Sequence, residues 1–160
     1  MAYTSFAMLA GRVIDADALR VFVYDVLVES GRPPTSQVIA ARFGVSASDA
    51  RAALRGLRIG KTILPDPETG EIWMAGPFAA APTAYKVVGR RTTWWANCAW
   101  DMLGIPAIVG ESVDIEASCT DCGLPASVRV DADSGPGAAS AEIVHFLVPA
   151  HRWYEDIGFT

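Results

Sequence analysis

Apolar residues recur every three to four positions in the first third of the chain, which is the spacing of an amphipathic helix. The clearest run follows Asp17, a residue type that caps helix N-termini, and it predicts a helix over residues 18–29. The inward positions of this helix are Leu19, Phe22, Val23, Val26 and Leu27. A Gly-Arg-Pro-Pro run at residues 31–34 ends it, because proline cannot continue a helix.

Two shorter helices and a hairpin are predicted next. Thr35 caps a helix over residues 36–43, and Ser46 or Ser48 caps a third helix. The third helix runs over residues 47–59, and residues 62–64 and 71–74 form two strands around a turn rich in proline and glycine. Three helices followed by a hairpin are typical of a winged helix, so we predict a winged-helix-like lobe over residues 1–78.

The second half of the chain contains short runs typical of strands. These runs cover residues 85–88, 92–95, 113–116, 127–130 and 143–148. A helix over residues 96–103 interrupts them, and residues 131–140 are predicted to be a surface loop. Residues 79–82 are interpreted as a linker, and residues 79–160 as a small antiparallel-sheet lobe with one embedded helix. The predicted fold class is therefore α+β.

Composition narrows the function classes. Of the 160 residues, 51% are hydrophobic and only 19% are charged, which makes a disordered chain improbable. The net charge of −5 argues against nucleic-acid binding. A local group of arginines in the first lobe could contact DNA, but the interpretation as a solvated surface is favoured. That group is Arg42, Arg51, Arg55 and Arg58. No apolar run is long enough to span a membrane, and three cysteines without a signal peptide predict a reduced, cytoplasmic protein of open oligomeric state.

Cys98 and Asp101 are the first candidates for chemistry. Three residues apart, they would lie on one face of the predicted helix, and Cys98 would sit in its first turn, where the backbone dipole lowers a thiol pKa. We predict Cys98 as a nucleophile or soft-metal ligand and Asp101 as an acid/base group. The alternatives are a buried, inert thiol, and a carboxylate that is exposed or paired with Arg90 or Arg91.

Cys119 and Cys122 form a C-x-x-C pair followed by glycine, a pattern typical of a metal knuckle. A complete site needs more ligands, which Cys98 and either His145 or His151 could supply. The predicted metal set is Cys98, Cys119, Cys122 and His145, and the metal would be a soft ion such as Hg, Zn or Cu. The simpler interpretation makes His145 a core histidine and His151 a surface residue.

The stretch WANCAWDMLGIPAIVG at residues 95–110 resembles the alkylmercury (organomercurial) lyase family. Further matches are the Ala-Ser-Cys run ending at Cys119 and the Val-His-Phe-Leu run at residues 144–147. The resemblance implies an N-terminal winged-helix-like lobe, an organomercurial substrate and no required cofactor. It implies that one thiolate binds mercury, a second thiolate weakens the carbon–mercury bond, and an aspartate helps a proton reach the departing carbon. Cys98 matches the first thiol, Asp101 the aspartate, and Cys119 a structural cysteine.

One departure from the family pattern matters for function. The second catalytic cysteine is expected just before His145, where this chain has Ala141, Glu142 and Ile143. Either the C-x-x-C pair supplies the second sulfur, or the scaffold acts on another, non-mercurial substrate, with Glu142 or His145 as an auxiliary group.

We therefore expect an alkylmercury-lyase-like enzyme acting on a small molecule. The alternative is a non-enzymatic metal-binding or regulatory winged-helix protein with Cys98, Cys119 and Cys122 as ligands. A third possibility is a structural lobe with buried thiols.

Overall fold

The computed structural model describes residues 13–137 and 143–157 and begins with three helices. They are α1 (Ala16–Ser30), α2 (Ser36–Phe43) and α3 (Ala47–Leu57). The predicted cap of α1 is wrong by two residues, because Asp15 accepts the Ala18 N–H at 2.8 Å. Asp17 lies inside the first turn instead and pairs with Arg20 at 3.0 Å.

The caps of α2 and α3 are confirmed. The Thr35 side chain accepts the Val38 N–H, and Ser46 forms a reciprocal capping box with Asp49. Helix α3 ends two residues earlier than predicted, since the chain tightens into a 3₁₀ turn at Arg58–Gly60.

A three-stranded antiparallel sheet completes the N-terminal half. It consists of β1 (Ile63–Pro65), β2 (Ile72–Ala75) and β3 (Phe78–Ala79), in that order. The predicted hairpin is present, and the third strand falls where the sequence suggested the start of a linker. Assignment to the winged-helix class stays a prediction.

A second antiparallel sheet forms the C-terminal half, in the order β5-β4-β6-β7-β8. Its strands are β4 (Lys86–Val88), β5 (Thr93–Trp95), β6 (Val113–Ser118), β7 (Pro125–Asp131) and β8 (Gly135–Pro136). Helix α4 (Asp101–Val109) lies between β5 and β6 in the chain. Strand β8 falls within the predicted surface loop, whose last residues lie outside the described ranges. Helices with antiparallel sheets confirm the α+β class.

The helix predicted over residues 96–103 is displaced, so Cys98 precedes it. Ala96 forms a β-bridge with Phe78, which keeps the backbone extended up to that point. Pro106 lies within α4. Proline is tolerated there because it, Met102 and Ile105 are buried, and that apolar burial offsets one missing backbone hydrogen bond.

The strand predicted over residues 143–148 is wrong. The described part of this segment pairs with no strand, and it leads into a 3₁₀ helix at Ala150–Glu155. Its apolar residues serve a different contact, because Phe146 lies between Trp100 and Trp153, with ring centroids 6.2 and 5.2 Å away. An aromatic cluster therefore replaces strand pairing.

One hydrophobic core spans both halves of the chain, from Leu19 in α1 to Val130 in β7. The indole N–H of buried Trp94 donates to the Leu27 carbonyl at 2.9 Å, joining β5 to α1. The shared core does not test the predicted division into lobes over residues 1–78 and 79–160, which stays a prediction. The helices among the described residues are all too short or too polar to cross a lipid bilayer.

Candidate active site

Cys98 and Asp101 meet in the turn that joins β5 to α4. The Cys98 carbonyl accepts the Met102 N–H at 3.2 Å, which makes the turn a lead-in to the helix. The Cys98 sulfur accepts the backbone N–H groups of Trp100 and Asp101, as a capping side chain does. Helix-terminal geometry therefore holds the thiol beside the carboxyl group.

The carboxyl group of Asp101 receives two side-chain hydrogen bonds, from the Cys98 thiol and the Asn97 amide. Burial nevertheless raises the pKa of Asp101 above its usual value, and these hydrogen bonds only partly oppose that effect. Among the described residues, Asp101 forms no ion pair with Arg90 or Arg91, and Arg90 binds Glu111 at 2.7 Å instead. Asp101 thus binds a proton more tightly than an exposed aspartate does.

The expected lowering of the Cys98 pKa is wrong. Burial raises the pKa of this thiol, and the negative charge of Asp101 raises it further. The backbone N–H groups lower it, but not enough to reverse the direction. Cys98 therefore holds its proton, in a hydrogen bond to Asp101.

A cavity of about 140 Å³, here called the acid cavity, opens beside this pair. Both halves of the chain and the C-terminal segment form its wall. The lining residues are Lys61, Thr62, Leu64, Met74, Gly76, Asn97, Cys98, Asp101, Trp153, Tyr154 and Ile157. The reacting groups come from the second half, whereas much of the enclosure comes from the first.

Two polar groups interact with Asp101: Asn97, which lines this cavity, and Tyr24, which does not. The Asn97 amide donates to Asp101, while its side-chain oxygen is buried without a hydrogen-bond partner in the described residues. An unpaired buried acceptor is costly, so a bound donor would be favoured there. Tyr24 donates its hydroxyl to the Gly76 carbonyl at 2.7 Å. Burial raises the pKa of Tyr24, and the charge of Asp101 adds to the increase although Arg20 opposes it.

Cys98 also borders a second cavity of about 400 Å³, here called the histidine cavity. Its wall includes His145, Thr120 and Asp121, and it shares Trp153 with the acid cavity. The thiol thus lies between a small space that contains the carboxyl group and a larger one.

The predicted four-residue metal set is not assembled around one point. Within residues 13–137 and 143–157, no group of three or more His, Cys, Asp or Glu side chains could hold a metal ion. Cys119 and Cys122 are exposed in the β6–β7 loop, and Cys119 lines a third cavity together with His145. His145 is exposed, so the core-histidine interpretation is wrong, and His151 is exposed as expected.

The position of the expected second cysteine is only partly described. Ala141 and Glu142 lie outside the described residues, and Ile143 is exposed. A role for Glu142 therefore stays a prediction.

Sequence reasoning missed several residues of the site. Asn97 adjoins Cys98 in the family-like stretch, and this proximity was the available signal. Lys61 and Tyr154 offered no such signal, because long-range folding brings them together: the ammonium lies 4.2 Å from the ring centroid. Lys61 also has a left-handed backbone, with φ of 57°, unusual for a residue other than glycine.

The sequence model of the alkylmercury lyase (MerB) family matches residues 78–158, half of the chain. Among solved structures, the chain is similar to the crystal structure of the mercury-bound form of MerB2, with a TM-score of 0.56 and 19% identity. The match covers 72% of this chain and 55% of that chain, so this protein spans just over half the length of that relative. That likeness is one of fold. No curated protein matches the chain. The extent of the family match shows that the chain belongs to the alkylmercury lyase family.

Proposed function

We propose that this protein binds an organomercurial through Cys98 and cleaves its carbon–mercury bond with a proton delivered by Asp101. The observation that carries the proposal is the hydrogen bond from the Cys98 thiol to the Asp101 carboxyl group, at the border of two cavities. Membership of the alkylmercury lyase family supports this general chemistry.

The first step uses the proton that Cys98 retains. A sulfur–mercury bond forms at Cys98, the mercury loses an exchangeable ligand, and the thiol proton passes to Asp101 along the existing hydrogen bond. The raised pKa of Asp101 makes its carboxylate a stronger base than an exposed aspartate, which helps it accept this proton.

In the second step, Asp101 gives this proton to the carbon. The carbon–mercury bond breaks, its electron pair forms the new carbon–hydrogen bond, and Hg²⁺ remains on the Cys98 sulfur. No oxidation state changes, so no redox partner is required. The acid cavity, at about 140 Å³, is close to the size of an apolar cavity that holds benzene, which suits a small alkyl or phenyl group.

A second sulfur would weaken the carbon–mercury bond before protonation. Cys119 lines a different cavity from the two that Cys98 borders, which argues against it as that ligand during the reaction. We assign the role to a small thiol from solution, entering through the histidine cavity of about 400 Å³. A diverged, non-mercurial electrophile would use the same thiol and acid. The regulatory alternative needs Cys98, Cys119 and Cys122 around one metal ion, and the described residues form no such group.

The test measures benzene released from phenylmercury in the presence of excess glutathione. We expect turnover by the wild-type protein, loss to the thiol-only background in Cys98→Ser, and a decrease of roughly 10²–10⁴-fold in Asp101→Asn. Asp25→Asn is the matched control for the charge change, because Asp25 is exposed on α1, and it should retain full activity.

Two results would reject the mechanism. One is wild-type protein that binds phenylmercury at Cys98 in a 1:1 ratio yet releases no benzene above background. The other is undiminished release by Cys98→Ser.

A further inference from the structure

Beyond the cleavage site, we propose that Cys119 and Cys122 form a second, two-coordinate site for a soft metal ion, and that it takes Hg²⁺ from Cys98. The loop between β6 and β7 brings the two cysteines together. The Ser118–Pro125 pair closes the loop, and the Cys119 N–H donates to the Leu124 carbonyl at 2.8 Å. Within it, the Gly123 N–H donates to the Cys119 carbonyl at 2.9 Å, with glycine at φ 72°.

The side chains in this loop form an arrangement suited to a thiolate. The Cys119 sulfur accepts hydrogen bonds from the backbone N–H groups of Asp121 and Cys122 and from the Cys122 thiol. The two sulfurs are therefore in contact, and both cysteines are exposed. With metal–sulfur bonds of about 2.3 Å, an ion between them would hold the sulfurs less than about 5 Å apart. Rotation of two exposed side chains provides that separation.

The number of ligands determines which metal fits. The described residues provide no third His, Cys, Asp or Glu to complete a metal-binding group around this pair. Zn²⁺ prefers four ligands, whereas two thiolates satisfy a soft ion that accepts linear coordination. The pair therefore selects Hg²⁺ over Zn²⁺.

The histidine cavity connects this pair to the cleavage site. Cys98 forms one part of its wall, and Thr120 and Asp121, the two residues between the cysteines, form another. An ion that leaves Cys98 through this cavity therefore passes beside the loop that contains the two cysteines.

The transfer, which rests on the proposed function, is a ligand exchange. A second small thiol displaces Cys98 from mercury and gives its proton to the Cys98 thiolate, so the ion leaves through the histidine cavity as a complex with two small thiolates. Cys119 and Cys122 then replace the two small thiolates on mercury, and the protons of the two loop thiols pass to the thiolates that leave. Mercury remains divalent throughout.

The site is tested with inorganic Hg²⁺, which contains no carbon–mercury bond, so the result does not depend on lyase activity. Reduced full-length Cys98→Ser protein is mixed with one equivalent of Hg²⁺ and millimolar glutathione, and retained mercury is measured after gel filtration. We expect one bound ion per chain. Adding Cys122→Ser or Cys119→Ser should weaken retention roughly 10²–10⁴-fold, because a tethered second thiol is replaced by a free competitor.

Each variant retains the backbone hydrogen bonds that shape the loop, and circular dichroism checks that it is folded. If Cys98→Ser loses its mercury at the same glutathione concentration as the double variants do, the two loop cysteines do not form a metal site. Transfer is followed by peptide mapping after a single wild-type turnover of phenylmercury. Mercury on the peptide containing residues 119–122 supports the transfer, and mercury remaining on Cys98 would overturn it.

Discussion

At the scale of single residues, the chemistry depends on one shared proton. The Cys98 thiol donates to Asp101, and burial raises the pKa of both groups. Cys98 therefore retains its proton, and the Asp101 carboxyl group accepts that proton in a hydrogen bond, which keeps a transferable proton inside the site. Asn97 opposes this by donating to Asp101, so it is a positioning residue that limits how far the carboxyl pKa rises.

The raised pKa of Asp101 predicts a pH-dependent difference in stability. The folded protein binds the Asp101 proton more tightly than the unfolded chain, so ionisation lowers the free energy of unfolding as pH rises from the unfolded pKa through the folded pKa. Asp101→Asn lacks this titration. We expect its free energy of unfolding, relative to wild type, to increase as pH rises above the pKa of aspartate in the unfolded chain and to level off above the raised pKa of the folded protein.

Urea unfolding at several pH values measures this difference. Asp25→Asn, at an exposed position, should show a much flatter difference. A relative stability of Asp101→Asn that falls as pH rises would contradict the raised pKa.

At the scale of elements, the C-terminal end of α1 positions β5 and thereby the turn that contains Cys98. Trp94 and Thr92 donate side-chain hydrogen bonds to the carbonyls of Leu27 and Glu29, at 2.9 and 3.1 Å. Gly31 ends α1 at φ 75°, where an added Cβ would lie 2.3 Å from the Thr93 carbonyl oxygen. This close approach of two backbones requires glycine.

A matched pair of substitutions separates the two reasons for glycine at position 31, which are its positive φ and the close approach of the Thr93 carbonyl. Gly110 also has a positive φ, of 68°, but a Cβ there would meet nothing within 4 Å. We expect Gly110→Ala to cost about 1–2 kcal/mol from the backbone conformation alone. Gly31→Ala should cost a further 1–3 kcal/mol or so, since the β5 backbone must shift. Urea unfolding at one pH compares them, and equal losses would show that the α1–β5 contact is not tight.

At the scale of the whole molecule, the acid cavity exists only because three distant parts of the chain meet. Asp101 comes from the second half, Lys61 from the end of the first helical region, and Tyr154 from the C-terminal segment. The Tyr154 hydroxyl donates to the Lys61 carbonyl at 3.3 Å, and the Lys61 ammonium lies over the Tyr154 ring. Closure of the wall limits water around Asp101, which sustains its raised pKa.

Removing this closure should affect both stability and catalysis. Tyr154→Ala loses the cation–π contact, at a cost of about 0.5–1 kcal/mol, and opens the acid cavity to water. We expect Tyr154→Ala to release benzene more slowly. When Asp101→Asn is added to Tyr154→Ala, the resulting change in the free energy of unfolding should depend less on pH than it does in the wild-type background. Tyr154→Phe retains the ring and should remain close to wild type in both assays. Equal losses in the two variants would assign the effect to the hydroxyl instead.

Much of the local structure could be predicted from the sequence. The caps at Thr35 and Ser46 and the β1–β2 hairpin were correct, because short-range hydrogen bonds and side-chain periodicity determine such features. The proximity of Cys98 and Asp101 followed from their separation of three residues. The same stretch carried the family resemblance, which the family match over residues 78–158 confirms.

Only the tertiary structure decided the environment of these residues. The bridge between Ala96 and Phe78 delays the start of α4, and burial reverses the expected direction of the Cys98 pKa. The C-x-x-C pair was expected to join Cys98, but the β6–β7 register holds it on an exposed loop next to another cavity. The sequence by itself identified the cysteines and the aspartate of the site. Their pKa shifts and their distribution among separate cavities depend on burial and long-range pairing, which only the folded chain determines.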